Sequence, residues 1–269
     1  MLASKRIGFI GAGAMAEALI KGFLNGGLLQ PGQCMLSDVS QERLAILTER
    51  YGVGAVSDNA TLARQSDILF LAVKPQVIKS VLADISQVID SGTLVVSIAA
   101  GIRLSLLEEK LPGVRILRVM PNTPAAVGAG MAAISAGKLA TAADSEIAVR
   151  LLETAGRAVL VPETLMDAVT GLSGSGPGYA FVMIDALADA GVRVGFDRRT
   201  AILMAAQTLL GAAKMVLDTG EHPAKLRDLV TSPAGTTIAG IQVLEQRQVR
   251  AALIDAVVAA SSRSTELNN

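Results

Sequence analysis

The sequence predicts an α/β N-terminal domain built on a doubly wound, mostly parallel sheet, followed by an all-α C-terminal domain. Three observations predict it. Up to residue 161, short apolar runs alternate with helical patterns, the signature of strands joined by crossover helices. A glycine turn, Gly11-Ala12-Gly13-Ala14-Met15-Ala16, sits where the first run meets the first helix. Beyond Pro162 no convincing strand remains, and the segments are rich in Ala, Leu and Val at helical spacing. We place the boundary there, giving domains 1–162 and 163–269.

The elements follow in order. Arg6–Ile10 reads as a buried strand and Met15–Asn25 as a helix. Cys34–Ser37 is a second strand, Gln41–Tyr51 a helix, Val53–Ser57 a short third strand and Asn59–Gln65 a short helix. Ile68–Val73 is a continuous apolar run, as expected of a strand covered on both faces. Pro75–Ile89 is a helix with proline in its first turn. Thr93–Ile98 and Ile116–Val119 are further strands. Ala132–Ser135 and Ala158–Val161 add edge strands around a helix near Ala143–Thr154. The second half reads as helices at Pro177–Val194, Arg198–Leu217, Ala224–Val230, Thr236–Gln246 and Val249–Ser262. These are apolar over much of their circumference. A domain of this size has too little interior for them, which favours burial against another subunit.

Composition excludes several function classes. The 24 basic residues balance the 24 acidic ones, so nothing favours binding to nucleic acid. Aromatics are 3% and Trp is absent, which disfavours base-stacking platforms and carbohydrate grooves. One His and one Cys exclude a zinc site of several such ligands, and no metal is expected. Cys34 has no partner for an intrachain disulfide. The glycines and Glu17 break the N-terminal apolar run, so it does not read as a signal peptide. No run of eighteen uncharged apolar residues occurs, and no membrane association is expected. We expect a cytoplasmic protein.

The glycine turn fits G-x-G-x-x-G/A, the dinucleotide fingerprint. Gly11 permits the tight turn, Gly13 lets a pyrophosphate approach the backbone, and Ala16 keeps the helix close to the sheet. Ile10, Ala14 and Met15 complete that contact. Asp38 ends the second strand, where a carboxylate either accepts from the adenosine ribose or caps the next helix. Ser37, Ser40 and Arg43 lie close enough to take a phosphate instead, so NADH and NADPH both stay open. Ala72-Val73-Lys74-Pro75 and Ile98-Ala99-Ala100 leave the fourth and fifth strands, at the sheet end where such folds hold ligands. Lys74 suits a phosphate or ribose contact, a proton donor or a helix-start charge. Asn122, between Pro121 and Pro124, offers a donor and an acceptor, or simple turn chemistry. Leu172–Tyr179 carries glycines and hydroxyls that either admit a ligand or let helices pack closely. Ser232-Pro233-Ala234-Gly235-Thr236-Thr237 leads into a helix whose first N–H groups suit a carboxylate. The alternative there is an ordinary Thr cap.

With GFIGAGAMAEA, LAVKPQ, VVSIAAGI, VMPNTP, TGLSGSGPGYAF and the run from AAQTLLGAAK to SPAGTTIAGIQVLE in this order, the sequence resembles the pyrroline-5-carboxylate reductase family nearly end to end. The resemblance implies a Rossmann domain, a helical domain interlocked in a homodimer, and dimers assembled into a ring. It implies substrate carboxylate contacts from Ser232 and the Gly235–Thr237 backbone, including Thr236, with the Thr237 hydroxyl at the ring nitrogen. Glu163 aligns with a glutamate at the edge of the substrate site. Asn59, Ala72, Lys74, Pro75, Ile98 and Ala100 align with contacts to NADPH or NADH. The family's loop usually reads Ser-Pro-Gly-Gly-Thr-Thr. Ala234 replaces its first Gly and is strained if the position needs positive φ.

The implied reaction reduces a cyclic imine bearing a carboxylate to L-proline, the final step of proline biosynthesis. Three rivals stand beside it, the nearest in kind being a reductase of another cyclic imine. A hydroxy-acid dehydrogenase needs a proton-transferring Lys or His in the helical half, where Lys214 and Lys225 are the mid-domain candidates. A nucleotide-sensing module binds NAD(P) without turnover and leaves the Ser232–Thr237 loop unexplained.

Overall fold

The computed structural model describes residue 2 and residues 4–267. In chain order the elements are β1 (Ile7–Ile10), α1 (Ala14–Asn25), β2 (Cys34–Ser37), α2 (Gln41–Tyr51), β3 (Gly54–Ala55), α3 (Asn59–Gln65), β4 (Ile68–Leu71), α4 (Ile78–Ile85), β5 (Leu94–Ser97), α5 (Leu104–Lys110), β6 (Arg115–Met120), β7 (Gly130–Ala136), α6 (Ala142–Leu152), β8 (Gly156–Leu160), α7 (Met166–Val169), α8 (Gly176–Arg193), α9 (Arg198–Thr219), α10 (Pro223–Leu229), α11 (Thr236–Gln246) and α12 (Val249–Leu267). Contacts divide the chain into two compact units. One holds residues up to Gly174 and those from Ala260 onward; the other is Ser175–Ala259.

The first unit is an eight-stranded sheet in the order β3-β2-β1-β4-β5-β6-β7-β8. Strand residues sort by parity onto its two faces, as a period of two requires. Ile7, Phe9, Ile68, Phe70, Leu94, Val96, Leu117 and Val119 enter one core. Ile10, Leu69, Leu71, Val95 and Ile116 enter the other. Phe9 stacks on Phe70 at 4.7 Å between centroids, and Phe23 of α1 leans on both. A Cβ at Gly8 would meet Leu62 at 3.0 Å and crowd Ser66, so glycine lets α3 approach β1.

The expectation of two edge strands needs correction. β7 lies inside the sheet, antiparallel to β6 and parallel to β8; β8 and β3 are the edges. The link from β6 to β7 holds only a 3-10 turn, Thr123–Val127. A parallel return needs a crossover of a dozen or more residues, so the chain doubles back. β8 then returns parallel because α6 supplies that crossover.

Helix bounds also differ. Pro75–Val77 is a 3-10 turn and α4 begins at Ile78, ending at Ile85 rather than Ile89. The sequence reading omitted α5, a helix of one or two turns. It also ended α12 five residues early, because Arg263–Glu266 is polar and shows no apolar periodicity. Those turns are held by tertiary bonds. Ser264 Oγ donates to Asp167 Oδ1 (2.7 Å), Thr265 Oγ1 to Asp167 Oδ2 (3.1 Å) and Ser261 Oγ to the Asp167 carbonyl (3.1 Å).

In the second unit only Ala188, Ala201 and Ala205 form a buried cluster, with Ile184 against it. Phe181, Val182, Leu203, Leu210, Leu217 and Val258 are exposed. Among the described residues, α9 is the one helix long and apolar enough to cross a membrane by length and composition, with mean hydropathy 1.5.

Candidate active site

In the first unit, Gly11 turns the chain as it leaves β1. Its φ is +102°, and a Cβ there would lie 2.5 Å from the Ala72 carbonyl oxygen. Both facts require glycine. Backbone bonds lace the strand ends together: Gly11 N to Ser37 O (2.8 Å), Ala72 N to Ile10 O (2.8 Å) and Ile98 N to Leu71 O (3.1 Å). The carboxyl ends of β1, β2, β4 and β5 therefore meet at this turn. Val73, exposed Lys74 and Pro75 leave β4 there, and buried Ala99 and exposed Ala100 leave β5. Lys74 precedes the 3-10 turn with extended backbone.

Gly13 precedes α1 with φ −71° and ψ 179°. A Cβ on it would meet nothing within 4 Å. Among the described residues no side chain accepts from the first N–H groups of α1. Open space over unpaired donors at a helix start suits a diphosphate. Ala14 is exposed, Met15 half-buried, and Ala16 is pressed into the core.

Asp38 does not itself cap α2. Its Oδ2 accepts from Ala12 N (2.6 Å) and its Oδ1 from Ser40 N (2.8 Å). Ser40 is the cap, accepting from Arg43 N at 3.3 Å. The other phosphate candidates are also engaged. Ser37 Oγ donates to Asn59 Oδ1 (2.9 Å), while Asn59 Nδ2 donates to Asp84 (2.9 Å). Arg43 Nε donates to Ala12 O (3.0 Å) and its Nη2 to Glu17 Oε2 (2.8 Å). Sequence reasoning missed Glu17 as part of this cluster; the available signal was a carboxylate in the first turn of the helix that follows the glycine turn. It also missed Val39, fully exposed beside Asp38 and offering an apolar surface.

Glu163 is brought to the loop that follows β5. Its Oε1 accepts from Leu104 N (2.6 Å), at the start of α5, and from Arg118 Nη1 (3.0 Å). Arg118 is buried within β6, where a charge requires a partner. These two, with Arg103, Thr164 and Asp167, line a cleft of about 310 Å³. Asn122 serves as a tie: its Nδ2 donates to Ser173 O (2.9 Å) and its Oδ1 accepts from Met131 N (2.8 Å).

In the second unit, the cap of α11 is Gly235, so the reading of a Thr cap does not hold. Gly235 N closes a turn onto Ser232 O (3.0 Å), and a Cβ at Gly235 would collide with Ser232 Oγ. Thr236 is exposed and Thr237 half-buried. Neither hydroxyl has a hydrogen-bond partner among the described residues. Unpaired N–H groups and two hydroxyls thus share one helix start. Beyond Ser173, a Cβ at Gly176 or Gly178 would likewise meet nothing within 4 Å, so packing within this unit does not demand either glycine.

Ala234 adopts φ +57°, the left-handed region. For a residue with a Cβ this conformation costs about 1–2 kcal/mol, partly offset by the greater unfolded-state freedom of glycine, about 0.5–1 kcal/mol. Ala234→Gly is therefore expected to stabilise the protein by about 0.5–1 kcal/mol in denaturant unfolding. A lower stability would show that alanine carries no strain here.

The remaining candidates are structural. His222 Nδ1 accepts from Ala224 N (3.2 Å) and so caps α10. Lys214 pairs with Asp218 (2.5 Å) and Lys225 with Glu221 (2.7 Å), each one turn away on the surface. Burial pushes the Cys34 thiol up to about 12, so it is inert. Among the described residues no cluster of three His, Cys, Asp or Glu is placed to hold a metal.

Residues 6–101 match the family described as NADP oxidoreductase, coenzyme F420-dependent. Residues 163–267 match the one described as pyrroline-5-carboxylate reductase dimerisation. The pyrroline-5-carboxylate reductase of Methanosarcina acetivorans is 51% identical over 265 residues, covering 98% of each chain. The solved structure of a pyrroline-5-carboxylate reductase from Coxiella burnetii superposes with a TM-score of 0.94 at 36% identity, over 99% of each chain. That of the Plasmodium falciparum pyrroline carboxylate reductase with NADP bound gives 0.88 at 30% identity, over 100% of each chain. A glycine turn shaped for a dinucleotide, the helix start at Thr236 and this likeness over the whole length lead to one conclusion: the chain belongs to the pyrroline-5-carboxylate reductase family.

Proposed function

We propose that the chain reduces 1-pyrroline-5-carboxylate to L-proline with NADH or NADPH, the final step of proline biosynthesis. The observation that carries this reading is the start of α11, where unpaired N–H groups adjoin the Thr237 hydroxyl. The free N–H groups of Thr236 and Thr237 and the Ser232 hydroxyl take the substrate carboxylate, and Gly235, whose N–H is turned onto Ser232 O, forms the bend that presents them. Thr237 Oγ1 meets the ring nitrogen and orients the protonated imine, whose C=N carbon is then electrophilic. The bound nicotinamide supplies the hydride that completes the C–H bond, as the C=N electron pair moves onto nitrogen. Glu163, held by Leu104 N and Arg118, corresponds by family resemblance to a glutamate that borders the substrate. Gly11, Gly13 and the start of α1 hold the diphosphate, and the Asp38 segment faces the adenosine ribose. Alignment of the two rings supplies most of the acceleration. A neutral hydroxyl is too weak an acid to be the proton source, so the imine takes its proton by equilibration with bulk solvent and binds as the iminium. The rival hydroxy-acid chemistry lacks its proton carrier, because Lys214 and Lys225 are paired on the surface and His222 caps a helix.

Imine reduction assayed with NADH and NADPH side by side tests the reading. Turnover of the pyrroline carboxylate, with hydroxy acids inert, is the expected result. Oxidation of hydroxy acids without imine reduction would overturn it.

The working form in this reading is a cytoplasmic homodimer, with dimers assembling into a ring. The exposed Phe181, Leu203, Leu210 and Leu217 supply the apolar surface that a partner subunit covers. Burial of such surface contributes on the order of 25 cal/mol per Å². Light scattering is expected to give at least a dimer at every active concentration. A stable, active monomer on dilution would refute this. The buried, inert Cys34 thiol suits a reducing compartment.

A further inference from the structure

A carboxylate in the first turn of a diphosphate-facing helix repels the anion that the helix end attracts. Glu17 is that carboxylate in α1, and its side chain is only 19% exposed. Two arginines and a phenol answer its charge. Arg43 Nη2 donates to Oε2 (2.8 Å), and Arg50 Nη1 (2.5 Å) and Tyr51 OH (3.1 Å) donate to Oε1. The hydrogen bond from Arg43 is the main reason its carboxyl stays below the usual carboxylate range.

Arg43 is the informative member. It belongs to the first turn of α2, just past Asp38 and Ser40, the segment that faces the adenosine ribose in this fold. An arginine there accommodates the 2′-phosphate of NADP. Here two of its donors are already committed, Nε to Ala12 O (3.0 Å) and Nη2 to Glu17. Asp38 takes the N–H of the same Ala12 at 2.6 Å. The Ala12 residue is thus clamped from both sides, and Glu17 both fixes the guanidinium on the glycine turn and cancels its charge.

We propose that Glu17 is a positioning residue that holds Arg43 on the glycine turn and thereby weakens the site's grip on a cofactor 2′-phosphate. The inference rests on the reading that this turn binds NAD(P)H. Without the carboxylate, Arg43 keeps its charge and regains a donor for the phosphate. A hydrogen bond between charged groups is worth about tenfold or more in affinity. Asp38 is a poorer lever, since removing its charge loosens the turn for both cofactors.

The test is fluorescence titration of NADH and NADPH on the intact protein. The variants are Glu17→Gln, Glu17→Ala, Arg43→Gln and the double variant Glu17→Gln/Arg43→Gln. Both Glu17 variants are expected to improve NADPH relative to NADH by about tenfold. The gain should vanish in the double variant. A purely structural role moves both affinities together, so an unchanged ratio in a Glu17 variant that still binds NADH overturns the proposal. A gain that persists in the double variant also overturns it, because Arg43 would then not be the group that reaches the phosphate. A parent that binds neither cofactor removes the cofactor reading and this inference together, an outcome distinct from the other two.

Discussion

Gly13→Val is expected to weaken NAD(P)H binding by a hundredfold or more, about 2.7 kcal/mol, with the fold intact. The backbone at Gly13, φ −71° and ψ 179°, is open to any L-residue. A Cβ there meets nothing within 4 Å, so the protein has no contact to lose. Valine is a poorer helix cap than glycine, at a cost of about 1 kcal/mol or less. The isopropyl group instead fills the space over the first N–H groups of α1, where the diphosphate must come close to the backbone. Gly11 does not allow so clean an experiment. A Cβ on Gly11 strikes the Ala72 carbonyl and occupies left-handed backbone, so its replacement damages the fold as well. Fluorescence titration checks the Gly13 result, and normal binding by the variant would move the cofactor site elsewhere.

Thr237→Val is expected to lower kcat/KM for the imine by about ten- to a hundredfold, with cofactor affinity little changed. Valine keeps the branched shape that suits this helix start and removes only the hydroxyl. Thr237 is half-buried, and its hydroxyl has no hydrogen-bond partner among the described residues, so no structural bond is lost with it. A hydrogen bond to a charged group contributes about 1.5–3 kcal/mol, and each 1.4 kcal/mol is about tenfold in rate. Thr236→Val is the control. Thr236 is the more exposed residue of the two, and its hydroxyl is expected to matter less. Steady-state kinetics decide: a Thr237 variant as fast as the parent leaves the backbone N–H groups alone to seat the substrate.

Local patterns account for what was legible in advance. Cys34–Ser37, Gln41–Tyr51, Asn59–Gln65 and Thr236–Gln246 match β2, α2, α3 and α11 residue for residue. In the three helices a polar or small residue marks the start: Ser40 and Asp58 cap α2 and α3 through their side chains, and Gly235 precedes α11. The glycine turn was legible for a similar reason. Gly11 is dictated by its own φ and by one short contact, and such demands leave a mark on the residue itself. The strain at Ala234 was foreseeable only by likeness, since its own sequence shows an ordinary alanine after proline.

The sequence by itself determined the doubly wound class, the glycine turn after β1 and the family. Each depends on periodicity or on backbone conformations that few residues adopt. Only the tertiary structure decided that β7 runs antiparallel inside the sheet, because that follows from a link too short to cross over. It also decided that the last turns of α12 stay helical, since three hydroxyls find Asp167 across a sequence gap of more than ninety residues. The partners of Glu17, Arg43 and Arg118 were decided there too. A charged side chain declares only its charge; whether it is solvated, paired or turned onto a backbone carbonyl depends on which distant strand or helix folds against it.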